Sequence, residues 1–204
     1  MTGEIPVALA RQLSGLVAGH PVIANILRRW DEIALPDACL TGSIIAQARW
    51  NEVFGFDPHH GIADADIVYF DPGDLSDEAE KRAELRIEAL FGDLPVRVDV
   101  KNQARVHLWY AAKFGHAIDA YRSLADAIGT YPTTAAAVGL RQRAKLEIIA
   151  PFGLADLLHP RVRANATQIT EAYFAKKVAR WQRYWPDLEI LSWSEAASRP
   201  SRTI

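Results

Sequence analysis

The sequence predicts an α+β fold, a mixed sheet flanked by helices with a helical C-terminal portion. Three observations carry this. Stretches with apolar residues every three or four positions alternate with short runs of period two. Glycine, proline and serine fall at the joins between them. The chain has 204 residues, half of them hydrophobic, enough for one well-buried core.

The elements follow in order. Leu9, Leu13, Leu16 and Val17 give residues 5–18 a helical apolar stripe that ends at Gly19. His20-Pro21 opens a second helix, proline being tolerated in a first turn, and Pro36-Asp37 closes the region. Ala38-Cys39-Leu40 leads into Thr41-Gly42-Ser43, and 44–53 reads as a helix followed by a loop over 54–61. Residues 62–71 alternate as a strand and stop at Asp71-Pro72-Gly73, where Asp71 starts the turn. Ser76 can cap a helix whose first turn holds Asp77, Glu78 and Glu80, and Gly92 ends it. Val96 to Lys101 alternates as a second strand, and Asn102 can cap a helix over 103–114. Beyond it the spacing predicts a helix over 119–128, a short helical piece from Thr133, and a strand over 146–149. A long helix over 167–184 comes next, with Trp181 and Trp185 packing it onto the core, then a last strand within 188–193 and a loose tail over 198–204. This divides the chain into a core over 1–165 and a C-terminal part over 166–204.

Composition narrows the function classes. A formal net charge of −2 gives no general attraction to nucleic acid. The lone Cys39 cannot form an internal disulfide, which suits a reducing cytoplasm. No apolar run approaches the roughly 20 residues of a membrane span, and the start of the chain lacks the basic lead of a secretory signal. The expectation is a cytoplasmic protein without membrane partners.

One stretch demands chemistry. Strand periodicity puts Asp64 and Asp66 on the same face, with Ala65, Ile67 and Tyr69 on the other. Two carboxylates about 4 Å apart repel by roughly 4 kcal/mol at an effective dielectric near 20. Either one is protonated or a cation lies between them. Asp99, on the polar face of the second strand, adds a third carboxylate if the two strands pair. Gly42-Ser43 at a strand-to-helix turn offers backbone N–H groups, a helix dipole and a hydroxyl to a phosphate. Three carboxylates plus a triphosphate form the hard-oxygen set that suits Mg²⁺ or Mn²⁺.

Gly-Ser, then Asp-x-Asp on a strand, then a single Asp on a later strand: this order resembles the nucleotidyltransferase superfamily that shares the fold of DNA polymerase β. Leu40 to Ser43, Ile62 to Asp71, Val98 to Tyr110 and Ala150 to Leu154 are more closely similar to a bacterial nucleotidyltransferase-like family without an assigned substrate. The resemblance covers roughly residues 20–165. It implies that Gly42 and Ser43 hold the β- and γ-phosphates of an NTP and that Asp64 and Asp66 hold metal. It implies further that Asp99 binds the catalytic ion and assists deprotonation of an acceptor. About twenty residues separate Gly42-Ser43 from Asp64, longer than the superfamily's usual gap, and the 54–61 loop accounts for the excess.

The helix after Asp99 carries Arg105 and His107, and Lys101 shares a strand face with Asp99. Lys101 and Arg105 are candidate phosphate contacts, against plain salt-bridge or surface roles. His59-His60 lacks the further ligands of a zinc set and reads as a loop pair. Lys176, Lys177, Arg180 and Arg183 read as a solvated basic face. The expected activity is metal-dependent transfer of an NMP group from an NTP to a small-molecule or protein acceptor, a long polynucleotide being disfavoured. The alternatives are a catalytically degenerate nucleotide- or metal-binding protein and a metal-dependent phosphohydrolase. The base, the acceptor and the oligomeric state are not encoded in these patterns.

Overall fold

The computed structural model describes residues 5–197. Three helices, α1 (Val7–Gly19), α2 (Pro21–Arg28) and α3 (Trp30–Ile33), precede strand β1 (Cys39–Thr41) and helix α4 (Ser43–Phe54). Strand β2 (Asp64–Tyr69), helix α5 (Asp77–Phe91) and strand β3 (Arg97–Asn102) follow. After a 3-10 turn (Gln103–Arg105) come α6 (Val106–Phe114), α7 (Leu124–Ile128), β4 (Gly139–Gln142) and β5 (Leu146–Ile149). Helix α8 (Ala155–Leu158), strand β6 (Arg161–Val162), helix α9 (Glu171–Gln182), strand β7 (Glu189–Ile190) and helix α10 (Trp193–Ala197) complete the described residues. Among the described residues no helix is long and apolar enough to cross a membrane.

Local chemistry sets the joins. The Ser76 hydroxyl accepts the Ala79 N–H at 3.2 Å, and acids fill the first turn of α5. The Asn102 Oδ1 accepts the Ala104 N–H at the start of the 3-10 turn, while its Nδ2 donates to the Asp71 carbonyl. This one amide therefore ends β3 and fixes the turn after β2. Asp71 itself accepts the Gly73 N–H, as the Pro-Gly turn requires.

The main sheet has the order β3-β2-β1-β4-β5. Strand β1 runs antiparallel to both β2 and β4, β4 antiparallel to β5, and β2 parallel to β3, with α5 as the crossover between that parallel pair. The result is the mixed α+β sheet expected from the sequence. One face presents Leu40, Ala65, Ile67, Tyr69 and Val100 to the large core, which also holds the buried sides of α1, α2, α4 and α5. The other face carries Cys39 and Val68 into a smaller cluster with Leu124 and Ile128 of α7. The polar side chains of β2 and β3 lie on this second face.

Several elements differ from the sequence reading, among them the short α8, β6 and α10, which it did not contain. The stretch after Thr133 is a turn tied by an isolated bridge to Ala164, not a helix. Strand β4 was not expected: Gly139-Leu140-Arg141-Gln142 lacks a clean alternation, because the strand is buried at one end and half-buried at the other. The helix expected over 119–128 begins only at Leu124, capped by Ser123. The last strand is the two-residue β7, which pairs in parallel with β6 rather than joining the main sheet. The tail 198–204, read as loose, lies outside the described residues.

Helix α9 is built into the core. The rings of Trp181 and Trp185 meet Trp50 of α4 edge-on at 5.0 and 5.1 Å, and Trp185 Nε1 donates to Asn51 Oδ1 at 2.7 Å. All three tryptophans are essentially inaccessible to solvent, the packing role expected for Trp181 and Trp185.

Candidate active site

Gly42 sits between β1 and α4 with φ 84° and ψ −161°, a region that only glycine occupies readily. A Cβ at this position would collide with Asp66 Oδ2 and lie 3.1 Å from Asp66 Cγ. The turn is therefore shaped both by its own backbone and by the carboxylate it packs against. Thr41, just before it, is in register with Asp66 and anchors the strand end by donating to the Val138 carbonyl at 2.7 Å. Ser43 begins α4, a helix of 12 residues whose first N–H groups open at the same place.

The parallel register of β2 and β3 aligns Asp64 with Arg97 and Asp66 with Asp99. In-register residues of adjacent strands share a face, so Asp64, Asp66 and Asp99 lie on the polar side of the sheet, and of the three it is Asp66 that packs against Gly42. Arg97 stands among them, with its Nη2 2.7 Å from Asp99 Oδ2 and 3.5 Å from Asp64 Oδ2. Burial, then the charges of Asp64 and Asp99, push the Asp66 carboxyl up to about 6, against the opposing pull of Lys177 and Arg97. Of the two outcomes open for paired carboxylates, the fold realises part of each: a raised proton affinity and a neighbouring cation.

Among the described residues no three acidic, histidine or cysteine side chains form a ready-made metal cage. The residues present nevertheless suit a divalent cation in charge and ligand type. Three carboxylates share one face, and the guanidinium between two of them is already a stand-in cation. Asp64, Asp66 and Asp99 are the side chains of this face that could hold such an ion in place of the guanidinium.

A cleft of about 620 Å³ opens beside this face. Gly42, Ser43, Asp66 and Lys177 mark one end of its lining. Lys177 comes from α9, and its ammonium lies 4.7 Å from the centroid of the Trp181 ring. Burial first, then Arg180, lowers it to about 8, while Asp66 and Asp64 hold its proton more tightly. Lys177 thus belongs to the site rather than to the solvated face expected of it. Helix phase carries the signal: Lys177 is three residues after buried Phe174 and four before buried Trp181. Tyr131 is a second unforeseen neighbour, its phenol held well above its ordinary value by burial, Cys39 and Asp66.

The two candidate phosphate contacts are less free. Lys101 lines the cleft, but its ammonium pairs with Glu84 and lies 3.6 Å from Glu80. Arg105 is buried and committed to Asp77 and to Glu80, the latter at 2.8 Å, so it ties the start of α5 to the turn after β3. His60 stacks on Phe56 at 4.3 Å and His59 caps the Asp57 turn through its backbone, the loop roles read for the pair. His107 has a buried Nδ1 without a hydrogen bond.

The sequence profile of a family described as nucleotidyltransferase matches residues 28–190. No curated protein sequence matches the chain. Among solved structures, an NMR structure described as revealing a CCA-adding enzyme head domain superposes with a TM-score of 0.72. The two are 24% identical, and the match covers 89% of this chain and 95% of the other. A likeness at that identity establishes a shared fold.

Proposed function

The chain belongs to the nucleotidyltransferase family, and on that premise we propose that it moves an NMP group from an NTP to a small-molecule or protein acceptor. One observation carries the proposal: the strained Gly42 turn packs against Asp66, which is in register with Asp99 at the open end of α4. Backbone N–H groups at Gly42 and Ser43, with the Ser43 hydroxyl, take the β- and γ-phosphates. Lys177 supplies positive charge to the same phosphates from the opposite element. Asp99 accepts the proton of the acceptor hydroxyl. The acceptor oxygen then bonds to the α-phosphorus as the bond from that phosphorus to the bridging oxygen breaks, releasing pyrophosphate. Mg²⁺ or Mn²⁺ bound to Asp64, Asp66 and Asp99 would neutralise charge growing on the leaving phosphates. Lys101 and Arg105 support the site by holding α5 through Glu80, with phosphate contact requiring release of those pairs. The reading places the protein in the cytoplasm, where NTPs are plentiful and the buried Cys39 thiol stays reduced.

The test is incubation with α-labelled NTPs, Mg²⁺ or Mn²⁺, and a cell extract. Label passing to an acceptor, and lost in a folded Asp66→Asn protein, is the expected result. Free NMP without a labelled adduct would identify a phosphohydrolase instead. A binding-only role has one observation in its favour, the Arg97 pairing with Asp64 and Asp99. It predicts NTP binding with no product of either kind.

A further inference from the structure

Another part of the same cleft's lining has a different chemistry. Tyr110, Phe114 and Tyr173 form a contiguous run of rings, with centroids 4.5 Å apart for Tyr110–Phe114 and 6.2 Å for Phe114–Tyr173. Trp109 and Lys113 stand beside them, the Lys113 ammonium 5.5 Å from the Phe114 centroid. Tyr121, Thr130 and Gln168 add a polar chain to this lining. The Tyr121 hydroxyl lies 2.9 Å from Thr130 Oγ1 and donates to Gln168 Oε1 at 2.8 Å. The Tyr110 hydroxyl donates to the Gln168 carbonyl at 3.1 Å.

Gln168 is therefore pinned at both its backbone and its amide oxygen. Its Nε2 has no protein partner among the described residues and is not sealed from solvent. Three aromatic rings already pack against one another, so simple core filling does not call for a fixed amide in the same cleft whose donor has no protein partner among the described residues. A flat heterocycle does: it stacks on a ring face and offers a ring nitrogen or carbonyl oxygen at its edge. The cleft is continuous from Gly42 and Lys177 to this aromatic end, and its volume lies within the roughly 300–1,000 Å³ of small-ligand sites.

We propose that the aromatic end of the cleft is the nucleobase subsite, where the donor's base stacks on the Tyr110–Phe114–Tyr173 run and accepts a hydrogen bond from Gln168 Nε2. This rests on the nucleotidyl-transfer reading of the phosphate end, and makes Gln168 a specificity-determining residue.

Calorimetric titration of the full chain with inorganic tripolyphosphate and with each of the four NTPs, all with Mg²⁺, tests it. The wild type should bind at least one NTP about tenfold or more tightly than tripolyphosphate, the surplus coming from base stacking. Gln168→Met and Phe114→Leu should each erase most of that surplus and leave tripolyphosphate affinity unchanged. Gln168→Glu replaces the donor with an acceptor at nearly equal volume. It should shift the ranking toward adenine and cytosine nucleotides, which carry exocyclic amino groups, by about tenfold relative to uracil nucleotides. An NTP surplus that survives all three substitutions overturns the subsite while leaving the phosphate-end reading intact. Loss of acceptor labelling with NTP affinity unchanged overturns it too, and assigns the aromatic end to the acceptor. If neither tripolyphosphate nor any NTP binds, both readings fall together.

Discussion

Gly42 and Asp66 are fitted to each other: the space a Cβ would need at Gly42 is filled by the Asp66 carboxylate. Gly42→Ala should therefore do two things at once. The backbone conformation costs about 1–3 kcal/mol for a residue with a side chain, and the methyl group must displace Asp66. Chemical denaturation should show a loss in that range or above, and residual transfer activity should fall about a hundredfold or more. Near-normal activity in the alanine protein would show that Asp66 is not where the reaction occurs.

The pH dependence of stability follows from Asp66. Its carboxyl is pushed up to about 6 in the folded chain, against a usual value near 4. The unfolded chain thus loses this proton before the folded one does. The contribution to stability is full below about pH 4, declines as pH rises through 6, and is gone above. The difference amounts to roughly 2–3 kcal/mol. Asp66→Asn should remove this decline and stabilise the ligand-free protein at neutral pH. Urea unfolding of both proteins between pH 4 and 8 measures it.

Lys177 opposes that shift across a large sequence separation. Lys177→Met keeps the length of the side chain and its packing beside Trp181 while removing the charge. Carboxyl NMR titration should then find Asp66 at a higher pKa than in the wild type, and KM for the NTP should rise about tenfold or more. An unmoved Asp66 titration would place Lys177 outside the site's electrostatics.

Arg97 occupies the position between Asp64 and Asp99 that a divalent cation would contest. Its removal in Arg97→Ala should tighten Mn²⁺ binding about two- to fivefold, the small factor expected of an exposed ion pair. Electron paramagnetic resonance titration of free Mn²⁺ gives the answer directly. Weaker binding would mean that Arg97 organises the carboxylates rather than competing for them.

Much of this site was legible in the sequence because strand periodicity is a strict rule. Asp64, Asp66 and Asp99 could be assigned to polar faces, and β2 and β3 do pair with Asp66 opposite Asp99. Gly42 was legible as a backbone position. The fit of its missing Cβ to Asp66 was not, since a close approach between two segments has no local signature. The charged residues were harder. Lys101 and Arg105 read as candidate phosphate contacts with salt-bridge or surface roles as the alternative; Glu80, Glu84 and Asp77 on α5 meet them, and which acids pair with them leaves no trace in spacing. Lys177 was hidden among Lys176, Arg180 and Arg183, where only its phase relative to Phe174 and Trp181 marks it out. Strand β4 was missed because burial at one end and partial exposure at the other blur the alternation.

The clamp of Trp181 and Trp185 on Trp50 has a consequence for how the protein is made. The glycine turn and the carboxylates precede Lys177 and the tryptophan clamp along the chain, and so leave the ribosome before them. A nascent chain that has exposed Asp64, Asp66 and Asp99 still lacks the ring contacts that seat α4 and the ammonium that balances their charge. Completion of the proposed site is thereby deferred until α9 and Trp185 have been made. Ribosome-stalled chains ending at residue 165 should be inert, and adding the last turns of α9 and Trp185 should switch them on.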